Sequence, residues 1–485
     1  MNCPAKRPRI LPNARTFLFL LKRPHSKFLT IPSLSLARFS SRLARRPVRG
    51  YNSCALERTL SSPSTPSTSP PSSSQAAFYF ILITVGLDFL AFGIIAPVLP
   101  DLIRQFEGGD FARASTVIGY FGLAWAAMQF IFSPLLGAWS DRFGRRPVIL
   151  LSCLGLGLDY IFMAVAPSLR WLLVGRIISG ITTSNVATAF AYVTDVTPPE
   201  RRARPFGLIS AAFGVGFVIG PALGGYLGNT NLRFPFWAAA LLSLANALYG
   251  YFVLPESLPP ERRAKSAWHM ANPLGSLRLF RSHPELTGLA MVITLYYLAH
   301  QALVTVWALY TEYRYAWNRR DVGLSLAVVG VSAAVVSGIL VAPFVKRFGE
   351  RRSLLWGLIF GTLGFLGFAF AWRGWALFAV IPLIALWGIA APAMQSLMSR
   401  CVDHSSQGKL QGAINSVRAL TGMAGPPLFT QVFARAISPN STFHFSGAPY
   451  FLAAVLLFSS LALAAYFTRG QAAMPSPEAA PAADT

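Results

Sequence analysis

The sequence predicts an all-α membrane protein whose twelve transmembrane helices form two six-helix bundles, with both termini cytoplasmic. Three observations lead there. From Ala76 onward, apolar runs of roughly 20 residues alternate with short polar breaks, the length a helix needs to cross about 30 Å of hydrocarbon. Of the 485 residues, 54% are hydrophobic and only 12% charged, which is not the balance of a soluble chain of this size. A basic stretch also recurs: WSDRFGRR at Trp139–Arg146 is echoed by VKRFGERR at Val345–Arg352, so the same kind of loop falls once in each half.

Residues 1–75 come first and stand apart. They are rich in Arg, Lys, Ser and Pro, carry Glu57 as their one acid and end in SSPSTPSTSPPSSS, a composition that cannot build a core. They read as a disordered extension; an organellar transit peptide and a mis-assigned start are the other readings. Residues 76–254 hold the first six spans, centred near Asp88, Ala127, Leu156, Gly180, Val215 and Leu244. The longest break, 255–284, is a central cytoplasmic loop. Residues 285–468 hold the second six, centred near Tyr296, Gly330, Gly361, Ala385, Leu420 and Leu456, and 469–485 form a disordered tail.

Charge sets the orientation. The loops after the even-numbered spans carry Arg142, Arg145 and Arg146, then Arg201, Arg202 and Arg204, Arg262, Arg263 and Lys265, Lys346, Arg347, Arg351 and Arg352, and finally Arg400 and Lys409. Excess positive charge on short loops marks the cytoplasmic side. Arg314, Arg319 and Arg320 are the exception on the other side, partly balanced by Glu312 and Asp321. A net charge of +24 would suit a nucleic-acid binder, but its confinement to the extension and the loops excludes that partner and leaves membrane lipid. Cys3, Cys54, Cys153 and Cys401 have no paired spacing, so neither a disulfide framework nor a metal site is expected. No Ser/His/Asp, His/Glu or phosphate-cradling constellation points to an enzyme.

The informative side chains are the ionisable ones inside spans, where a charge costs about 2.5–3.5 kcal/mol even on a lenient scale. These are Asp88, Asp159, Arg176 and Arg418. Asp88 is either a proton or cation site or a carboxylate tied to neighbouring helices. Arg176 either holds a nearby carboxylate ionised, since a guanidinium stays charged at any relevant pH, or tethers two helices. Arg418 lies about ten residues, roughly 15 Å, inside its span and belongs to a cavity or an ion pair unless it snorkels. The stretch GAWSDRFGRRP, Gly137–Pro147, cannot sit in hydrocarbon and anchors the topology, with Gly137 and Gly144 allowing a close approach and a turn.

That stretch, together with LDFLAFGIIAPVLP (Leu87–Pro100), GRIISGIT (Gly175–Thr182), GVGFVIGPALGGYLG (Gly214–Gly228) and GLSLAVVG (Gly323–Gly330), resembles the drug/proton antiporters of the major facilitator superfamily. In detail it resembles the tetracycline/proton antiporters, from about Ala76 to the end of the twelfth helix. The resemblance implies a gate of Gly137, Asp141, Arg142, Gly144 and Arg145, in which Asp141 caps a neighbouring helix and pairs with arginine to latch the cytoplasmic side. It implies proton coupling by Asp88, Asp159 and Arg176. It places Gln129 and Gln301 at polar substrate-binding positions, although either suits interhelical hydrogen bonding equally well. Gly220, Pro221, Gly224 and Gly225 match the antiporter motif, which marks exporters more than importers.

Two departures qualify the match. Aligned on Arg373, Gly374 and Trp375, the family's ninth-helix aspartate falls on Gly361 and its eighth-helix histidine on Ala333, while Arg418 is gained and is assigned to substrate binding. The expectation is proton-coupled export of a small amphiphilic drug or metabolite by alternating access, with a tetracycline-like compound leading and antibiotic resistance as the outcome. An importer or exporter of another small organic solute is the alternative. Such a protein uses a proton gradient and no cofactor, and the resemblance places it as a multi-pass protein of the bacterial inner membrane.

Overall fold

The structure, a computed structural model, describes residues 72–469 apart from 184, 199–202, 264–274, 282–283, 404–405, 440 and 442–443. Most of the N-terminal extension, the tail beyond 469, and Arg201, Arg202 and Lys265 therefore lie outside the described residues. The first half contains α1 (Ser72–Ile95), α2 (Leu99–Phe106), α3 (Phe111–Phe143), α4 (Arg145–Val165), α5 (Leu169–Thr182), α6 (Asn185–Val196), α7 (Ala203–Thr230) and α8 (Phe234–Val253). The second contains α9 (Pro284–Tyr315), α10 (Arg319–Val335), α11 (Val341–Phe370), α12 (Gly374–Ala385), α13 (Ala390–Arg400), α14 (Gln407–Ile437) and α15 (Ala448–Phe467).

The described residues are all-helical, with no strand, and each of the twelve expected centres falls inside a helix. Among them, nine helical stretches are long and apolar enough to cross a membrane. One difference from expectation is at the start: α1 begins at Ser72, inside the serine-rich end of the predicted extension, so polar residues supply its first turn.

The sequence repeat is also a backbone repeat. Gly144 separates α3 from α4 at φ 108°, ψ 160°, and Gly349 breaks α11 at φ 76°, ψ 164°. Both lie in a region essentially closed to side chains with a Cβ, so the Phe-Gly pair in each loop is a required hinge between two spans. The expected close approach at Gly137 is not made here: Gly137 lies within α3 with nothing inside 4 Å of where a Cβ would stand.

Each half has its own core. In the second half Tyr310, Phe365, Phe368 and Tyr450 are fully buried against one another, and the Tyr310 hydroxyl donates to the Phe368 carbonyl at 2.6 Å. The halves meet chiefly where α3 packs on α14 and α7 on α10. Gly119 and Gly122 of α3 face Thr430, Pro427 and Pro426 of α14, and Ser115 donates to the Thr430 carbonyl at 2.9 Å. These contacts gather at the end of the bundle that bears Asp110 and Arg319.

Candidate functional site

The halves are joined by charge pairs and backbone packing at one end, the sealed end, whereas at the other, the open end, the described charges pair within their own halves. At the sealed end α2 reaches across to α9 and α10. Arg104 pairs with Glu312 and, at 3.4 Å, with Asp101, while Arg319 donates from Nε to Asp101 at 2.5 Å. The Asp101 side chain is 6% exposed, so its charge depends on those two guanidinium groups. Sequence reasoning missed this network; its one signal was the uneven cluster of arginines on the side expected to be poor in them. Arg314 is accounted for as well, donating to the Ala371 carbonyl at 3.0 Å and to Ser446 at 2.8 Å. Asp321 serves the start of α10, forming a capping box with Asn318.

The antiporter-motif residues build the seal with backbone. Gly220 and Gly224 of α7 lie against Gly93 and Ile94 of α1, while Gly225 and the Pro221 carbonyl lie against Arg319 and Gly323 of α10. A Cβ at Gly220 would come within 2.7 Å of the Gly93 Cα. The motif thus has two faces, one packing its own half and one meeting the other half, and small residues are required on both.

At the open end, the residues expected to form a gate pair within their own half. Arg145 is buried and donates to Asp141 at 2.6 Å, to Asp195 at 3.1 Å and to Ser140 at 2.6 Å. The helix cap expected of Asp141 is supplied from elsewhere: Glu256, at the start of the central loop, accepts from the backbone N–H groups of Arg145 at 2.8 Å and Arg146 at 3.3 Å. Negative charge belongs at that position because the first N–H groups of a helix lack internal partners. Arg142 stacks on the Phe143 ring at 5.2 Å. Gly207, Gly214, Gly338 and Gly349 have nothing within 4 Å of a would-be Cβ, and Trp139 and Phe143 are exposed, so this end stands apart.

Between the two ends lie the intramembrane charges. Asp159 on α4 is 1% exposed, with the Ser179 side chain of α5 as its polar neighbour. It lies beside Gly175 and within electrostatic reach of Arg176, with no ion pair inside 4.0 Å. Arg176 stacks on Trp125 at 5.5 Å. Asp88 on α1 is half-buried and accepts from the Asn246 amide at 2.9 Å, with the Cys153 thiol at 3.8 Å. Asn246 is fully buried and holds Asp88 from α8, a partner that sequence position alone did not suggest.

The three expected substrate-binding residues fall in both halves. Gln129 of α3 donates to the Thr183 carbonyl at 3.4 Å. Gln301 of α9 lies over Gly422 and Gly425 of α14. Arg418 of α14 is exposed, donates to the Tyr297 hydroxyl at 2.9 Å and stacks over the Tyr297 ring at 4.8 Å. Among the described residues no group of three or more His, Cys, Asp or Glu is placed to hold a metal ion.

Comparison with known proteins matches residues 81–426 to the Major Facilitator Superfamily. Tetracycline resistance protein, class C, of Escherichia coli is 42% identical over 368 residues, covering 75% of this chain and 91% of that protein. Among solved structures, the human organic anion transporter MFSD10 superposes with a TM-score of 0.61 at 26% identity, covering 82% of this chain and all of that one. A bacterial homologue of the lysosomal transporter Spinster, inward-facing and occupied, superposes at 0.66 with 17% identity, over 84% of this chain and all of that one, a likeness of fold.

Proposed function

This chain belongs to the Major Facilitator Superfamily and is a multi-pass membrane protein, and from that premise we propose that it exports a small amphiphilic compound, with a tetracycline-like molecule as first candidate, in exchange for protons. The observation that carries the proposal is Asp159. A carboxyl buried inside a membrane-spanning segment, with Ser179 and Arg176 as its polar neighbours, is kept there at a cost, and proton exchange is the function that such a group serves. Asp88, held by Asn246 yet half-exposed, is the second carrier. The tetracycline resistance proteins that match over most of their length support the substrate class and the direction.

The topology we propose has twelve crossings. The stretch Arg319–Phe370 is 52 residues long and contains the Gly349 break, so it makes two crossings, and α5 with α6 and then α14 supply two more. The basic loops put both termini in the cytoplasm, and the open end is then cytoplasmic and the sealed end external. A bundle open inward presents its cleft to cytoplasmic substrate, and proton entry from outside follows once the seal opens.

The test is uptake of tetracycline by an efflux-deficient bacterial host, with and without the proton gradient. Asp159→Asn and Asp88→Asn should each abolish gradient-driven export while leaving substrate binding in place. Full export by either variant removes that carboxyl from the coupling scheme.

A further inference from the structure

We infer that the second half of the cleft holds an anion-binding subsite, formed by Arg418, Tyr297 and Gln301, which selects amphiphilic organic anions with a flat aromatic body. This deepens the exporter reading and rests on it in one respect, that the cleft is the substrate path.

The placement of Arg418 follows from the sealed end. Along α14, Arg418, Gly422 and Pro426 lie on one face, each a helical turn from the next. Pro426 meets Gly122 of α3, so this face is turned toward the first half, and a Cβ at Gly422 would stand 3.8 Å from the Gln301 amide. Arg418 is two turns, about 12 Å, from the Pro426 contact toward the open end. α3 and α14 run antiparallel there, since Gly119 meets Thr430 and Gly122 meets Pro426; that register puts Gln129 of α3 at the level of Arg418, across the cleft.

Two arginines lie inside the spans, and each stacks on an aromatic ring, Arg176 on Trp125 and Arg418 on Tyr297. Their charge balance differs. Arg176 has the Asp159 carboxyl within electrostatic reach. Arg418 has no carboxylate within 4.0 Å among the described residues. The one side-chain acceptor found for it there is the Tyr297 hydroxyl. A guanidinium presents five N–H donors in a planar fork and stays charged at any working pH. A tether between helices would be enclosed by its partners, whereas Arg418 is exposed within a membrane-spanning helix. Its remaining donors are open to an acceptor arriving from the cleft, and the stack on Tyr297 holds the fork in place for a planar carboxylate.

The neighbours describe the rest of the ligand. Gln301, one turn beyond Tyr297 on α9, brings an amide to the same face and is seated on glycines of α14. His300 is exposed and its ring lies 5.8 Å from that of Trp387, which is almost fully buried against Tyr296 and Phe365. The exposed His300 ring, backed by this core and within electrostatic reach of Arg418, offers an aromatic surface beside a cation, which fits an aromatic carboxylate better than a cation or an aliphatic acid.

The probe is 2-naphthoate, with 2-naphthamide as its neutral counterpart, bound to the full chain in lipid nanodiscs and measured by equilibrium dialysis. The parent should bind naphthoate at least tenfold tighter than naphthamide. Arg418→Ala should bring naphthoate down to the level of the amide, Arg418→Lys should recover only part, and Tyr297→Phe should weaken naphthoate a few-fold. Equal binding of acid and amide by the parent overturns the inference, as does an Arg418→Ala protein that melts at the parent temperature and keeps the preference. Should Arg418→Ala not fold, Arg418→Lys carries the test, and full retention of the acid preference by lysine counts against recognition by the planar fork. Gradient-driven tetracycline flux, measured in parallel, separates the two readings. Flux without acid preference removes the anion subsite and leaves the exporter; acid preference that depends on Arg418, without flux, does the reverse.

Discussion

The two ends of the bundle use similar residues for opposite purposes. At the sealed end, charges pair between halves: Arg104 with Glu312, and Asp101 with Arg319. At the open end they pair inside each half. Arg145 is satisfied by Asp141 and Asp195, and Glu256 by the backbone of Arg145 and Arg146. In the second half Glu350 accepts from Arg400 at 2.7 Å and from Ser396. One end is an engaged latch. The other is two finished caps with no need of each other. Under the alternating access proposed above, Asp101 and Glu312 lose partners in the other half while the open-end caps stay intact.

Replacing Gly323 with leucine should break the comparison most severely. Its side chain would meet the Pro221 carbonyl, which cannot move aside, so the seal cannot form. Gradient-driven tetracycline efflux should fall more than a hundredfold, and a reporter at Ser115→Cys, buried in the parent, should become reactive to an impermeant maleimide added outside. Normal efflux with a protected reporter would show that closure does not depend on this contact.

Arg319→Ala comes next. It leaves the buried Asp101 carboxylate without a main partner, which costs about 3 kcal/mol and shifts the population away from the sealed state by roughly a hundredfold. A cycle with Asp101→Ala, read by the same reporter, should show coupling; effects that merely add would mean the pair is not a latch. Gly144→Ala and Gly349→Ala should each lower stability by about 1–3 kcal/mol through backbone strain, seen as a lower melting temperature. The Gly144 change should be the larger, because a Cβ there also meets the Glu256 carboxylate.

The smallest effect should be Asp141→Asn. Asp141 is 42% exposed, and Arg145 keeps Asp195 and Ser140, so less than about 1 kcal/mol should be lost from the melting behaviour. A loss as large as that of Arg319→Ala would mean that the open end is not self-contained.

The repeat of the two basic loops was legible in the letters, and the structure gives both the same glycine hinge. What the letters hid is that the charges are exchanged. The residue after the hinge is Arg145 in the first half and Glu350 in the second, paired with Asp195 near the end of α6 and with Arg400 at the end of α13. A bridge survives with its poles reversed, which sequence alignment scores as a mismatch. The substrate-side reading was legible only in outline: Arg418 stood out as a charge inside a span, but nothing in the letters ties Tyr297 or His300 to it.

By itself the sequence determined where the apolar helices run and where the two Phe-Gly hinges fall. Those properties are local, since about 20 apolar residues bury themselves in hydrocarbon wherever they occur and a Phe-Gly turn between charged residues interrupts them. Only the tertiary structure decided which end is sealed and which charges are paired. Arg104 and Glu312 are 208 residues apart, and Asp88 and Asn246 are 158. The free energy of such a pair depends on a distance of a few ångströms that the packing of whole helices sets, and no window of sequence contains it.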